Sequence, residues 1–222
     1  METRLVYGMY PDVINNLGDE EDILQELTDS YLFKDILAYA GIRKPELLDK
    51  LVRALAYQIG NELIYNELSS LIGIDKNTVS NYIDVLEQAC VIFKLPSFSK
   101  SLRSEIKTNQ KIYFVDLGVR NAIINDFKPI EDRPDKGAIW ENFLIMERLK
   151  ELAYKGEKVR SHFWRTRTQQ EVDYVEEKGT DIKGYEFKWN PNANVKIPKS
   201  FLETYDTTIK VFNKENFRGF LK

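Results

Sequence analysis

The stretch HFWRTRTQQEVDYVEEKGTDIKGYEFKWN, residues 162–190, decides how this chain is read. It divides into three short runs of strand character, yet acids recur where a buried sheet would place apolar residues. Asp173 stands between Val172 and Tyr174, and Phe187 stands between Glu186 and Lys188. Side chains alternate faces along a strand. Glu171 and Asp173 are therefore expected on one face of their strand, and Glu186 and Lys188 on one face of the next. Val172, Tyr174, Tyr185, Phe187 and Trp189 fall on the intervening faces as core. Two carboxylates and a lysine converging on one side of a small sheet form the chain's strongest candidate for chemistry.

Upstream of it, GAIWENFLIMERLKELAYKG (137–156) has the pattern of a helix that is apolar over a wide arc and packs on a sheet. Ile139, Trp140, Phe143, Leu144, Met146, Leu149 and Leu152 make that arc. Glu141 lies in the first turn. There it either meets the positive end of the helix dipole or is aimed at the sheet face bearing Asp173 and Glu186. Strands are expected at Val159–Thr166, Glu171–Glu176, Gly184–Trp189 and, after a connection, Thr208–Phe212. Arg165 can join the acids. Phe163 and Trp164 read as core, although an exposed Trp164 would offer a face for base stacking.

Helix with Glu141, three strands, a connection and a last strand resemble the PD-(D/E)-x-K nuclease-like superfamily, whose common core is αβββαβ. Glu171-Val172-Asp173 corresponds to a degenerate first half and Glu186-Phe187-Lys188 to the second. The resemblance implies Asp173 and Glu186 as Mg²⁺ ligands, Lys188 as the catalytic lysine and Glu141 as an assisting acid. Carboxylate oxygens suit Mg²⁺, which bridges a scissile phosphate. A neighbouring lysine orients or deprotonates water and offsets phosphoryl charge. Alone, however, Glu-x-Lys is also a common cross-strand ion pair without function. Three roles stay open: a DNA-interacting accessory region, an active Mg²⁺-dependent DNA endonuclease, and a non-catalytic protein-interaction module.

Residues 61–98 carry a second signature. A helix near Asn66–Ile72, a turn at Gly73-Ile74-Asp75 and a helix near Lys76–Ala89 make a helix-turn-helix pattern. Leu68, Leu71, Ile74, Val79, Ile83 and Leu86 are spaced to hold the pair together. Lys76, Asn77, Thr78, Ser80 and Asn81 are left outward at the start of the second helix, the part that enters a major groove. VIFKLPSF and KIYFVDL then read as two strands of a wing, making the unit a winged helix. Between Lys94 and Lys111 the bases are Lys94, Lys100, Arg103, Lys107 and Lys111 against the single acid Glu105. Lys100, Arg103 and Lys107 join the second helix as candidate DNA contacts. Asp84 and Glu87 would face a DNA backbone poorly.

Residues 1–60 read as helical. Pro11 suits a turn or first helical position. The acids 19–22 suit the start of a helix near 21–40 with Leu24, Leu27, Tyr31 and Ile36 as its stripe, broken at Gly41. Lys44-Pro45-Glu46 opens another helix carrying Leu47, Leu48, Leu51, Leu55 and Ile59. The polar run 125–137 carries two of the seven prolines and reads as an exposed loop or linker.

Composition narrows the function classes. The 222 residues are 43% hydrophobic and 30% charged, as in a globular protein with a sizeable core. A net charge of −3 argues against non-specific coating of nucleic acid. No apolar run reaches the ~20 residues that span a bilayer, and the first residues lack a signal-peptide core. The cytoplasm, without membrane contact, is the expected location. One Cys and one His cannot furnish a typical zinc site. Cys90, beside Ala89, Val91 and Ile92, reads as a buried structural thiol.

YGMYPDVI, YLFKDIL, the helix-turn-helix stretch, IYFVDLGVRNAI, GAIWENFLIMERL, HFWRT, QEVDYV and GYEFKWN succeed one another in a way that resembles the C-terminal region of a large family of prokaryotic AAA-type ATPases. That resemblance implies an N-terminal P-loop ATPase domain as partner, with ATP bound only there. No G-x-x-x-x-G-K-[ST] occurs in these residues. The chain is expected to be a piece beginning just after that domain, or a stand-alone relative. Self-association into a homo-oligomer is left open. The expected architecture is α+β: a helical segment (1–60), a winged helix-turn-helix (61–124), a linker (125–137) and a two- or three-layered α/β nuclease-like domain (138–222).

Overall fold

The computed structural model describes residues 1–29, 36, 44–99 and 109–221. Tyr31, Gly41 and the wing residues Lys100, Arg103, Glu105 and Lys107 lie outside the described residues. The fold is mixed α+β and divides into two compact units, Met1–Lys94 with Ile112–Pro134, and Leu95–Lys111 with Asp135–Lys222. No helix among the described residues is long and apolar enough to cross a membrane.

The first unit is built on α1 (Glu2–Tyr7), α2 (Pro11–Asn15), α3 (Glu20–Leu27), α4 (Pro45–Tyr57), α5 (Tyr65–Ile72), α6 (Lys76–Gln88) and α7 (Leu117–Ile124). Pro11 and Pro45 open their helices at the first position, where a missing N–H costs nothing. The segments YGMYPDV and DLGVRN turn out to be partners. Asp116 caps α7 through Val119 N (3.1 Å) and also accepts from Met9 N (2.7 Å). Asn121 Nδ2 donates to the carbonyls of Leu5 and Val6. Only glycine fits between them. A Cβ on Gly8, whose φ is 72°, would meet Asp116 Oδ1 at 2.0 Å, and one on Gly118 would meet the Tyr7 carbonyl at 2.2 Å. Arg120, fully buried, donates twice to the Ala56 carbonyl at the end of α4, where carbonyls lack helical partners.

α5 ends on Gly73, in the left-handed conformation at φ 78°, and α6 begins on Asp75, whose carboxylate accepts from Asn77 N and Thr78 N. Leu68, Val79, Ile83 and Leu86 are buried as the spacing predicts, but Leu71 is 65% exposed and Ile72 takes the inward position. The helix turns 100° per residue, and Leu71 lies one residue off the buried stripe that Leu68 and Ile72 define. Cys90 is exposed, not buried. It follows α6 in the left-handed region at φ 56°, which turns the chain out of the helix before Val91 and Ile92 go inward. The segment 125–137 contains a 3₁₀ turn at Ile130–Asp132 and buries both Ile130 and Arg133.

Strands β1 (Ile92–Pro96) and β2 (Gln110–Phe114) form a two-stranded sheet, and Leu95–Lys111 belongs to the second unit. There Ser97 bridges Phe163, and Phe98 N donates to the Phe163 carbonyl. The rest of that unit runs α8 (Lys136–Tyr154), β3 (Arg160–Arg165), β4 (Glu171–Lys178), β5 (Asp181–Phe187), α9 (Lys199–Tyr205) and β6 (Ile209–Phe212). The sheet order is β3-β4-β5-β6. Its first two pairings are antiparallel, and the return through α9 makes β6 parallel to β5. Helix, three strands, helix and strand therefore follow in that order.

One irregularity bears on the site. His162 pairs with Val175 and Trp164 with Val172, so two steps along β3 answer three along β4. That is a β-bulge, with the extra residue in β4. It breaks the simple alternation. Val172 and Val175 share one cluster with Phe98, Trp164, Ile182 and Phe201. Tyr174 instead stands among Tyr185, Phe187 and Phe220. Val172 and Tyr174 thus line different faces, contrary to the sequence expectation, and both faces are covered. Trp164 is 7% exposed, edge-on to Phe201, and presents no free face for a base.

Candidate functional site: an acid–lysine centre

The bulge sits where β4 parts from β5. Their paired residues run from Lys178–Asp181 to Tyr174–Tyr185, after which Glu186 and Phe187 pair with Val211 and Phe212 of β6. The Asp173 carboxylate takes over at that point, and its Oδ2 accepts from Phe187 N at 2.8 Å. Lys188 follows directly on β5, and its Nζ lies 3.3 Å from Asp173 Oδ2 and 2.9 Å from Glu186 Oε2. Two buried carboxylates thus share one ammonium that is 34% exposed.

Burial pushes the Glu186 carboxyl up to about 7, with the neighbouring Asp173 charge adding to it and Lys188 pulling the other way. For Lys188, burial works against the charge, and the Asp173 and Glu186 carboxylates outweigh it. Its ammonium is held well above the ordinary lysine range. The two carboxylates thus favour the charged form of Lys188.

Glu141 enters the centre by another route. Its Oε1 lies 3.0 Å from Nζ of Lys111, and the same ammonium lies 2.5 Å from Glu171 Oε1. Lys111, on β2, has a side chain only 4% exposed. Burial opposes its charge, but Glu141, Glu171 and Asp173 prevail and raise it well beyond the usual lysine range. Arg165 Nε adds a contact to Glu171 at 3.4 Å. Sequence reasoning placed Lys111 in a basic wing patch and missed it here. The available signal was its position in QKIYF, a lysine inside an otherwise apolar strand.

A further buried acid, Glu176, is satisfied differently. Arg148 of α8 grips it with two nitrogens at 2.6 and 3.1 Å, and Tyr185 donates to it at 3.2 Å. A bidentate guanidinium fork with a phenol leaves little for a ligand to do, and we assign this group to packing.

Among the described residues no group of three or more His, Cys, Asp and Glu is placed to hold a metal ion. Mg²⁺ does not need one, because it binds through one or two carboxylates and completes its shell with water and phosphate oxygens. Asp173 and Glu186, already close enough to share one cation, are a donor set of that kind.

In the first unit, Lys76, Asn77 and Asn81 are exposed and Thr78 and Ser80 half-buried at the start of α6. Asp84 and Glu87 are engaged by Lys94, whose Nζ lies 2.8 and 2.7 Å from them. Lys94 and Lys111 are therefore ion-paired and do not add to the basic patch expected between them.

Residues 1–129 match the family described as Domain of unknown function (DUF8612), and residues 136–217 match Domain of unknown function (DUF4143). An uncharacterized protein of Haemophilus influenzae is 26% identical over 223 residues, covering 97% of this chain and 50% of that protein. The uncharacterized protein MJ1637 of Methanocaldococcus jannaschii is 25% identical over 131 residues, covering 55% of this chain and 28% of its own length. The chain thus spans about half the length of the first relative and less of the second. No solved structure matches it significantly.

Proposed function

This chain belongs to the family described as Domain of unknown function (DUF8612), and from the chemistry of its second unit we propose that it is a DNA-interacting accessory region of an AAA-type ATPase. Its second unit is read as a PD-(D/E)-x-K nuclease-like domain that hydrolyses phosphodiesters. The observation that carries this reading is Lys188 Nζ within 3.3 Å of Asp173 and 2.9 Å of Glu186. The element order, helix, three strands, helix and strand, supports it.

In this reading Asp173 and Glu186 hold Mg²⁺, whose contribution when bound is to polarise a phosphoryl oxygen. Lys188 keeps its proton and sets a fixed positive charge beside the phosphate, where negative charge develops during displacement. The Phe187 N–H fixes the Asp173 carboxylate so that it need not reorganise. α5, the turn and α6, followed by β1 and β2, are read as a winged helix that brings Lys76, Asn77, Thr78, Ser80 and Asn81 to DNA; Lys100, Arg103 and Lys107, outside the described residues, stay candidate DNA contacts from the sequence. The ATPase partner and its ATP belong to the same proposal.

The test is supercoiled plasmid incubated with Mg²⁺ and the wild-type or Asp173→Ala protein, with DNA binding followed by fluorescence anisotropy. Nicking by the wild type that is lost in the variant is the expected result. Equal nicking by both, or none by either, removes the hydrolase.

A second reading has its own observation. Each of the four acids of the centre touches a lysine, Asp173 and Glu186 through Lys188, Glu141 and Glu171 through Lys111. A non-catalytic protein-interaction module built on an ion-pair network would look the same. It predicts no DNA binding even at low salt.

A further inference from the structure

Four carboxylates stand in the acid–lysine centre, and the two lysines divide them unequally in kind. Lys188 is 34% exposed, while Lys111 is 4% exposed and comes from β2, outside the four-stranded sheet that carries Glu171, Asp173 and Glu186. Glu171 has a second cation in Arg165. Glu141 and Glu171 are thus tied to a buried ammonium. Asp173 and Glu186 are tied to one that can swing toward solvent on a four-carbon stem.

Resting on the reading of Asp173 and Glu186 as cation donors, we propose that Lys111 is a positioning residue that withholds Glu141 and Glu171, so that the centre takes one divalent ion and not two. Its ammonium stands where a second ion would otherwise be drawn by those two acids. Lys111 touches neither substrate nor metal in this scheme. It acts by fixing which carboxylates remain available, as a built-in cation in the wall of the site. Outer groups that orient ligands have effects of about 10–100-fold on metal affinity when removed. Exchanging Glu141 and Glu171 for amides with Lys111 in place would strand its buried ammonium, so the acids are removed together with it.

The experiment counts Mn²⁺ on the full chain by electron paramagnetic resonance of the free ion. The wild type and Lys111→Arg are expected to bind one Mn²⁺ per chain. Lys111→Met, with the two acids released, takes up a second. Lys111→Gln, whose amide still donates to the two acids, takes its place in the same count should Lys111→Met fail to fold, and Lys111→Met/Glu141→Gln/Glu171→Gln, which strands no charge, keeps one ion. A single ion on folded Lys111→Met overturns the inference while leaving the proposed function standing. So does a second ion on the triple variant. Absence of Mn²⁺ from the wild type instead overturns the donor reading of Asp173 and Glu186, and this inference with it.

Discussion

Replacing Lys111 by methionine removes a buried ammonium and keeps most of the volume of its stem. The attraction it loses is large. At an effective dielectric constant of about 20, unit charges 3.0 Å apart attract by roughly 5–6 kcal/mol, and the 2.5 Å contact to Glu171 somewhat more. Most of that gain is offset in the native protein by the desolvation of three charged groups, so the intact network is near break-even. The variant loses the offset. Glu141 and Glu171 are left without their shared ammonium, and breaking a buried pair in this way costs about 3–5 kcal/mol. Their side chains are 15% and 26% exposed, so solvent recovers part of the loss and the low end, about 3 kcal/mol, is expected. All three tryptophans, Trp140, Trp164 and Trp189, lie in the second unit, so urea unfolding followed by tryptophan fluorescence reports on that unit. In the Glu141→Gln/Glu171→Gln background, where the buried Lys111 ammonium has itself lost those partners, the same substitution should cost nothing or stabilise. A cost below about 1 kcal/mol in the wild-type background, or equal costs in both, refutes the reasoning.

Three further outcomes are expected. With divalent ions chelated, Glu186 has a folded-state pKa near 7 against about 4.3 unfolded. Its contribution is fully present below about pH 4.3 and is lost as pH rises through 7, a change on the order of 3 kcal/mol. The protein should therefore unfold at lower urea at pH 8 than at pH 5.5, with Glu186→Gln flattening the difference. A variant as pH-sensitive as the wild type counts against this. Gly118→Ala sets a Cβ 2.2 Å from the Tyr7 carbonyl and should destabilise the first unit by about 1–3 kcal/mol, seen as a lowered circular-dichroism midpoint. An unchanged midpoint speaks against the tight seat. If α6 meets DNA phosphates, Lys76→Ala should reduce the slope of log K against log salt by about 0.9, and an unaltered slope takes Lys76 out of the interface.

What the sequence made legible depended on how local the cause was. Proline openings, the Gly73 cap and Asp75 at the head of α6 are each set by one or two residues, and the helices begin and end on them. The nearness of Glu186 to Lys188 follows from strand periodicity, since residues two apart share a face. The placing of Asp173 does not. Its setting depends on an extra residue in β4 whose register is fixed by pairing with β3, and the same bulge separates Val172 from Tyr174. Lys111 was hidden for a different reason. Its partners lie 30 and 60 positions away in sequence, and a lysine at the start of a candidate wing strand looks like a surface charge until the chain closes around it. Cys90 was misread because an apolar neighbourhood in sequence says nothing of a left-handed turn at one residue.

Charge balance ties the two readings of the centre together. Glu141, Glu171, Asp173 and Glu186 bring up to four negative charges, against which Lys111, Lys188 and Arg165 set three. Arg165, nearer the surface, relieves Glu171 alone. Burial and the Asp173 charge raise the Glu186 carboxyl, and these two acids share the partly exposed Lys188. A protein can meet such an excess in two ways. It can keep a proton on one acid near neutrality, as the raised Glu186 carboxyl does, or it can take up a cation. The two compete for the same oxygens, so a divalent ion that binds there should expel that proton. The Asp173–Glu186 pair at the partly exposed lysine is where the two responses can be told apart, by following the Glu186 proton as a divalent ion is added.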